Sequence, residues 1–198
     1  LTGDWSSDVC SSDLKGIASP AKFLLQADAL MDLSLHGKPY GANAYLICDQ
    51  FIVNRVHEKA LPGFTNEQAA ELVVFGGQCS DSEIDKHVQA ARNFDYIVGI
   101  GGGKTLDTAK AAAHFLGKPV LILPTLASTD APCTAISVIY NDDDTFNRYL
   151  FLSKNPDVVL ADTRVLAEQP PRFFAAGVGD GLATYFEARA CFAAQRDN

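Results

Sequence analysis

YIVGIGGGKTLDTAKAAAHFL, residues 96–116, runs from an apolar stretch through three consecutive glycines into a segment of helical character. Residues 96–100 are continuous and apolar, the pattern of a strand covered on both faces in a parallel sheet. The helix from Lys104 to Leu116 is stopped by Gly117 and Pro119. Its Ala109, Ala111, Ala112 and Ala113 allow close packing on a sheet. Glycines at such a turn let the backbone approach a ligand and adopt positive φ. The free N–H groups and dipole of the helix start favour a phosphate. Two regular phosphate-loop patterns fail to close. G-x-x-x-x-G-K-[ST] fits Gly103, Lys104 and Thr105 but needs glycine where Val98 stands. G-x-G-x-x-G needs glycine where Lys104 stands. A tight strand-to-helix turn without a ligand is the competing reading.

Outward from this unit the same rhythm recurs. Apolar runs at 44–48 (AYLIC), 72–75 (LVVF), 120–123 (VLIL) and 158–160 (VVL) read as further buried strands. Ser80 and Glu83 fit a capping box, and Ile84, His87, Val88 and Ala91 follow at helical spacing. Strands alternating with helices predict an α/β layered domain with a parallel sheet. Residues 135–140, the turn 141–144 and residues 146–152 read as a hairpin. After Pro170 and Pro171 the pattern is purely helical, with one helix over 173–192. The expected organisation is a non-native or disordered segment at 1–14, an α/β domain at 15–162 and the start of a helical unit at 163–198. Residues 1–14 repeat Ser-Ser-Asp and contain no Lys or Arg. A chain that stops a few residues after an apolar helix is expected to be truncated.

Composition excludes several classes. Hydrophobic residues make up 47% and charged residues 20% of the 198, a globular balance. The net charge is −8, and setting aside the three aspartates of residues 1–14 leaves −5, so a phosphate backbone is a poor partner. No apolar run approaches the ~20 residues that span a bilayer, and the chain does not open as a signal peptide does. The five cysteines form no C-x-x-C pair, which reads as reduced thiols in a cytoplasmic protein.

Four blocks in order carry a family likeness: FGGQCSDSEID (75–85), GIGGGKTLDTAKA (99–111), LPTLASTDAPCTAISVIY (123–140) and GVGDGLATYFEARAC (177–191). Together they resemble the glycerol dehydrogenase branch of the iron-containing alcohol dehydrogenase superfamily, from about Ser19 onward. The resemblance implies a Rossmann-like α/β nucleotide-binding domain followed by an all-helical, metal-binding domain, the dehydroquinate synthase-like fold. It implies NAD as cofactor, one divalent metal (Zn2+, with Fe2+ as the alternative), a small polyol substrate and a homo-oligomer when full length. The implied reaction is oxidation of glycerol to dihydroxyacetone. A glycerol-1-phosphate dehydrogenase or another superfamily member is the enzymatic alternative, and a non-catalytic nucleotide-binding fragment is the other.

Roles follow position by position. By the resemblance Gly102, Gly103 and Lys104 hold the cofactor pyrophosphate, the same role that the helix start suggests on physical grounds. Asp107, one turn into the helix, is implied to contact the cofactor, though a first-turn carboxylate is also favoured by the helix dipole. Asp49, at the end of the run 44–48, is implied to bind the ribose hydroxyls and would repel a 2′-phosphate. An ordinary strand-end aspartate is the competing reading. Thr125, Ser128, Thr134, Ile136 and Tyr140 are implied cofactor positions, and Asp130 an implied substrate contact. Thr134 stands where the family usually has serine. Residues 125–130 follow a strand and also suit a plain turn.

Asp180 is implied to be a metal ligand. Glu187 lies seven residues further along the same helix, ~10 Å of rise away, so the two do not readily share an ion. A catalytic zinc site usually takes three protein ligands. His36, His57, His87 and His114 match no metal position of the family.

Overall fold

The computed structural model describes residues 18–65 and 67–194 and contains eight strands and six α-helices. The strands are β1 (Lys22–Gln26), β2 (Asn43–Cys48), β3 (Ala69–Val74), β4 (Tyr96–Gly101), β5 (Val120–Pro124), β6 (Ile136–Tyr140), β7 (Phe146–Phe151) and β8 (Val158–Asp162). The helices are α1 (Leu33–Gly37), α2 (Val53–Arg55), α3 (Asp81–Ala90), α4 (Gly103–Leu116), α5 (Thr163–Ala167) and α6 (Pro171–Ala193). Six strands form one sheet in the order β1-β8-β5-β4-β2-β3, every pair parallel. β6 and β7 form the expected antiparallel hairpin. The segment 1–14 lies outside the described residues. Among the described residues no helix is long and apolar enough to cross a membrane.

Continuous apolar runs became the central strands because both faces of the sheet are covered. Leu46, Val98, Leu121 and Leu160 face one way, onto Leu30, Leu33 and Val56 of the short helical turns that follow β1 and β2. Tyr45, Ile47, Ile97, Ile122 and Val159 face the other way, onto Leu106, Ala109 and Ala112 of α4. Close contact between α4 and β4 requires Gly99, since a Cβ there would lie 2.7 Å from that of Ala109. β1 is a strand that the apolar pattern did not mark. It lies at the sheet edge with Phe23 and Leu25 exposed, so no sustained burial shaped its composition.

α3 begins at the expected cap, where Ser80 Oγ accepts the Glu83 N–H. The reciprocal half of the capping box is absent. Glu83 instead accepts the Gly76 N–H at 2.8 Å and reaches His87 Nε2 at 2.9 Å. His87 is buried, with Nδ1 3.0 Å from the Tyr45 hydroxyl. Burial holds its pKa below the ordinary value, assisted by Lys86 and opposed by the Glu83 carboxylate. A histidine with a depressed folded pKa is protonated more readily when unfolded. Its stabilising contribution is present above the unfolded pKa of about 6.5 and is lost as pH falls below it. We therefore expect the melting temperature to drop between about pH 7 and pH 5, and to drop less in His87→Gln. Thermal unfolding followed by circular dichroism across that range checks this, and equal slopes for the two chains would contradict it.

Parallel strands put all their C-terminal ends on one edge. From β2 the chain moves outward to β3, returns past β2 to β4, and continues to β5. Connections therefore diverge between β2 and β4, and the crevice left there is where open α/β sheets bind ligands. Asp49 follows β2 at this point and Gly102 follows β4.

Candidate functional site

The crevice is a cleft of ≈ 400 Å³ lined by Asp49, Gln50 and Phe51 after β2, by Phe75, Gly76 and Gly77 after β3, and by residues 102–105 after β4. Gly101, at φ +157, closes its floor. A Cβ there would lie 2.8 Å from Thr105 Oγ1 and 2.9 Å from Asp49 Cβ, so glycine lets the segments after β2 and β4 meet. The next two glycines differ. A Cβ on Gly102 would meet only Leu126 at 3.4 Å, and one on Gly103 only Thr129 at 4.0 Å. Packing does not demand glycine at either place, and side chains there would occupy free space above the start of α4. The unpaired N–H groups of that helix start point into the same space.

Asp49 anchors the second wall. Its N–H donates to Ile100 O at 2.8 Å, and Oδ1 accepts the Phe51 N–H at 3.0 Å. Oδ2 accepts no hydrogen bond among the described residues. Lys104 Nζ lies 3.5 Å from Asp144 Oδ1 at the tip of the β6–β7 hairpin, and 5.0 Å above the Tyr140 ring. Tyr140 thus borders the glycine turn through Lys104.

A second cleft of ≈ 530 Å³ shares Asp49 and Phe51 with the first and continues past Thr125, Leu126, Arg172 and Phe173. The loop at 125–130 is pinned at several points. Thr125 N–H donates to Gly101 O at 3.0 Å, and Ala127 N–H donates to Gln169 Oε1 at 2.8 Å. α6 crosses so close that a Cβ on Gly177 would lie 2.1 Å from Ala127 O and 3.4 Å from Ser128 Cα. Asp180 Oδ2 accepts the Asp130 N–H at 3.1 Å. The structure thus brings Asp49, Gly102, Gly103, Lys104 and Thr125 onto one groove, and sets Asp130 beside Asp180 near the middle of α6.

Seven of the twelve expected positions line neither cleft: Asp107, Ser128, Asp130, Thr134, Ile136, Tyr140 and Asp180. Asp107 is buried, with Oδ1 2.8 Å from Lys110 Nζ and Oδ2 accepting the Val138 N–H at 2.9 Å. Burial pushes its carboxyl pKa up, while the Lys110 charge and these bonds oppose the rise. The expectation that Asp107 faces a cofactor departs from this placement: its carboxylate turns inward. The Thr134 hydroxyl lies 3.2 Å from Ala131 O and Ile136 opens β6, neither lining a cleft. Phe51, Phe75, Gly76 and Gly77 do line the first cleft, and sequence reasoning assigned them no role. Gly76 and Gly77 carried a usable signal, a glycine pair directly after a strand. Phe51 carried none.

Among the described residues no group of three or more His, Cys, Asp or Glu side chains gathers to hold a metal ion. Asp180 is one donor on an α6 none of whose residues is buried, and these residues by themselves do not fit a three-ligand site.

The family model for iron-containing alcohol dehydrogenase matches residues 20–163. A glycerol dehydrogenase of Escherichia coli is 47% identical over 178 residues, 88% of this chain and 48% of the relative. One from Thermotoga maritima is 48% identical over 174 residues, covering 87% and 48%. The crystal structure of a probable glycerol dehydrogenase from Sinorhizobium meliloti superposes with a TM-score of 0.86 at 36% identity, over 93% of this chain and 50% of that one. The chain belongs to the iron-containing alcohol dehydrogenase family. It spans about half the length of the curated relatives it matches.

Proposed function

We propose that the whole protein oxidises glycerol to dihydroxyacetone with NAD and one divalent metal, and that this chain carries its nucleotide-binding unit over 15–162 and opens a helical unit over 163–198. The open space above Gly102 and Gly103 at the sheet's switch point is the observation that supports this most. NAD when bound supplies the acceptor for the hydride leaving the secondary carbon of the polyol. Backbone N–H groups at Gly102 and Gly103 receive the pyrophosphate, and Lys104 leaves Asp144 to neutralise it. Asp49 accepts the ribose hydroxyls and turns away a 2′-phosphate. Thr125 and Ser128 border the cofactor, with Thr134, Ile136 and Tyr140 flanking it from the hairpin side. Asp130 orients the polyol hydroxyls. Asp180 contributes one metal donor, Zn2+ or Fe2+ being the ion. The setting is a cytoplasmic homo-oligomer.

The incomplete donor set favours a second reading for the chain taken alone: a nucleotide-binding module without turnover. NADH formation from glycerol with added Zn2+ or Fe2+ separates the cases. The whole protein should turn over and lose both metal content and activity in Asp180→Asn, because an amide lacks the charge that helps hold a divalent ion. The chain alone should show no turnover. Full activity and metal content in the variant would contradict the ligand role, and turnover by the chain alone would contradict the second reading.

A further inference from the structure

We propose that Lys110, acting through its buried ion pair with Asp107, is a positioning residue that fixes the segment between Asp130 and Tyr140 to the phosphate-facing helix. The proposal rests on the nucleotide reading of the cleft.

Lysine is almost never fully buried unless paired, yet the Lys110 side chain is 0% exposed. Its ammonium has three N–H donors. It donates at short range to two main-chain carbonyls, Ala131 O at 2.8 Å and Ile136 O at 2.6 Å, and its charge pairs with Asp107 Oδ1 2.8 Å away. Thr134 O and Oγ1 lie further off, at 3.4 and 3.5 Å. Asp107 extends the same clamp. Its Oδ2 takes the Val138 N–H at 2.9 Å, and its backbone carbonyl takes the Ser137 hydroxyl at 2.9 Å. Two side chains one helical turn apart thereby hold the main chain at 131, 136 and 138, with a hydroxyl bond at 137.

α4, which carries the pair, also carries Gly103 and Lys104 at its start. The segment it grips begins next to Asp130 and ends at Tyr140, whose ring lies under Lys104. Backbone geometry on both sides of the groove is therefore referred to one helix. Stability alone is a poor reason for such a pair, because apolar residues of similar volume are often as good or better in its place. A fixed main-chain path is what the apolar substitute would not supply.

The test compares Lys110→Met, Asp107→Asn and Leu33→Ala with the unaltered chain. Leu33 is buried in the core on the other face of the sheet, so its truncation lowers stability without touching the clamp. Amide exchange over 131–138, NADH affinity by calorimetry and denaturant unfolding are measured on each. Lys110→Met should remain folded, exchange faster at Val138 and its neighbours than at β4, and bind NADH about tenfold more weakly. Asp107→Asn should shift both readouts in the same direction to a smaller extent, which keeps the proposal testable should the methionine variant fail to fold. Leu33→Ala should bind NADH as the unaltered chain does. Unchanged exchange and affinity in both clamp variants would overturn the proposal. So would an equal loss of affinity in Leu33→Ala, since that would trace the effect to stability. Failure of the unaltered chain to bind NADH would overturn the nucleotide reading instead, and loosened exchange in Lys110→Met would still support the clamp.

Discussion

Gly103→Val leaves the chain folded and removes its NADH binding. Gly103 is the first residue of α4, and an added Cβ there has no protein atom nearer than 4.0 Å. Valine is no worse than glycine in intrinsic helix propensity, both lying within about 1 kcal/mol of alanine. Its methyl groups, however, would stand in the open space proposed for the pyrophosphate at the helix N–H groups. A loss of affinity of about a hundredfold or more is expected. Gly99→Val gives the opposite pair of results. Its Cβ would collide with Ala109 at 2.7 Å, inside the contact between α4 and β4, so the chain should lose stability by about 1–3 kcal/mol or more. Thermal unfolding and NADH titration of both variants check the contrast. Equal stability losses, or retained affinity in Gly103→Val, would mean that the space above α4 holds no phosphate.

Asp49→Ser should erode the preference for NADH over NADPH by about tenfold to a hundredfold. Serine keeps an oxygen able to accept the Phe51 N–H, so the turn after β2 survives. It removes the charge, and with it both the proposed paired acceptor for the ribose hydroxyls and the proposed repulsion of a 2′-phosphate. At a separation near 5 Å and an effective dielectric constant of 20 that repulsion is about 3 kcal/mol per unit charge before salt screening, which makes specificity the most sensitive readout. The affinity ratio of the two cofactors for each chain measures it. An unchanged ratio would place Asp49 outside the ribose site.

Central strands and the helix after the glycine turn could be read from residues because burial on both sheet faces leaves one composition and one period. β2, β4, β5 and β8 are apolar along nearly all of their length for this reason, Asn43 at the start of β2 and Asp162 at the end of β8 excepted. β1 and the short turns between residues 29 and 63 obey no single period. They are shaped by contacts distant in sequence, such as Asp162, whose carboxylate receives the N–H groups of Asp28 and Leu30. The groove was partly visible for the same reason: glycines after strands mark places where the chain must leave room. The inward turn of the Asp107 carboxylate was not legible, because helical phase tells which residues share a face but not which face meets the hairpin. Lys110, four residues after the motif's Leu106, carried no sequence signal at all. A lysine on a helix ordinarily faces water, and only the returning segment 131–136 explains its burial.

Calorimetric titration of the unaltered chain with NADH, set beside an identical titration with Mg-ATP, bears most directly on the claim that the crevice between β2 and β4 is a dinucleotide site. NADH should bind saturably and one-to-one, with Mg-ATP weaker by about tenfold or more, because Val98 stands where a triphosphate-binding loop needs its first glycine. Tighter binding of Mg-ATP, or no binding of NADH, would contradict it.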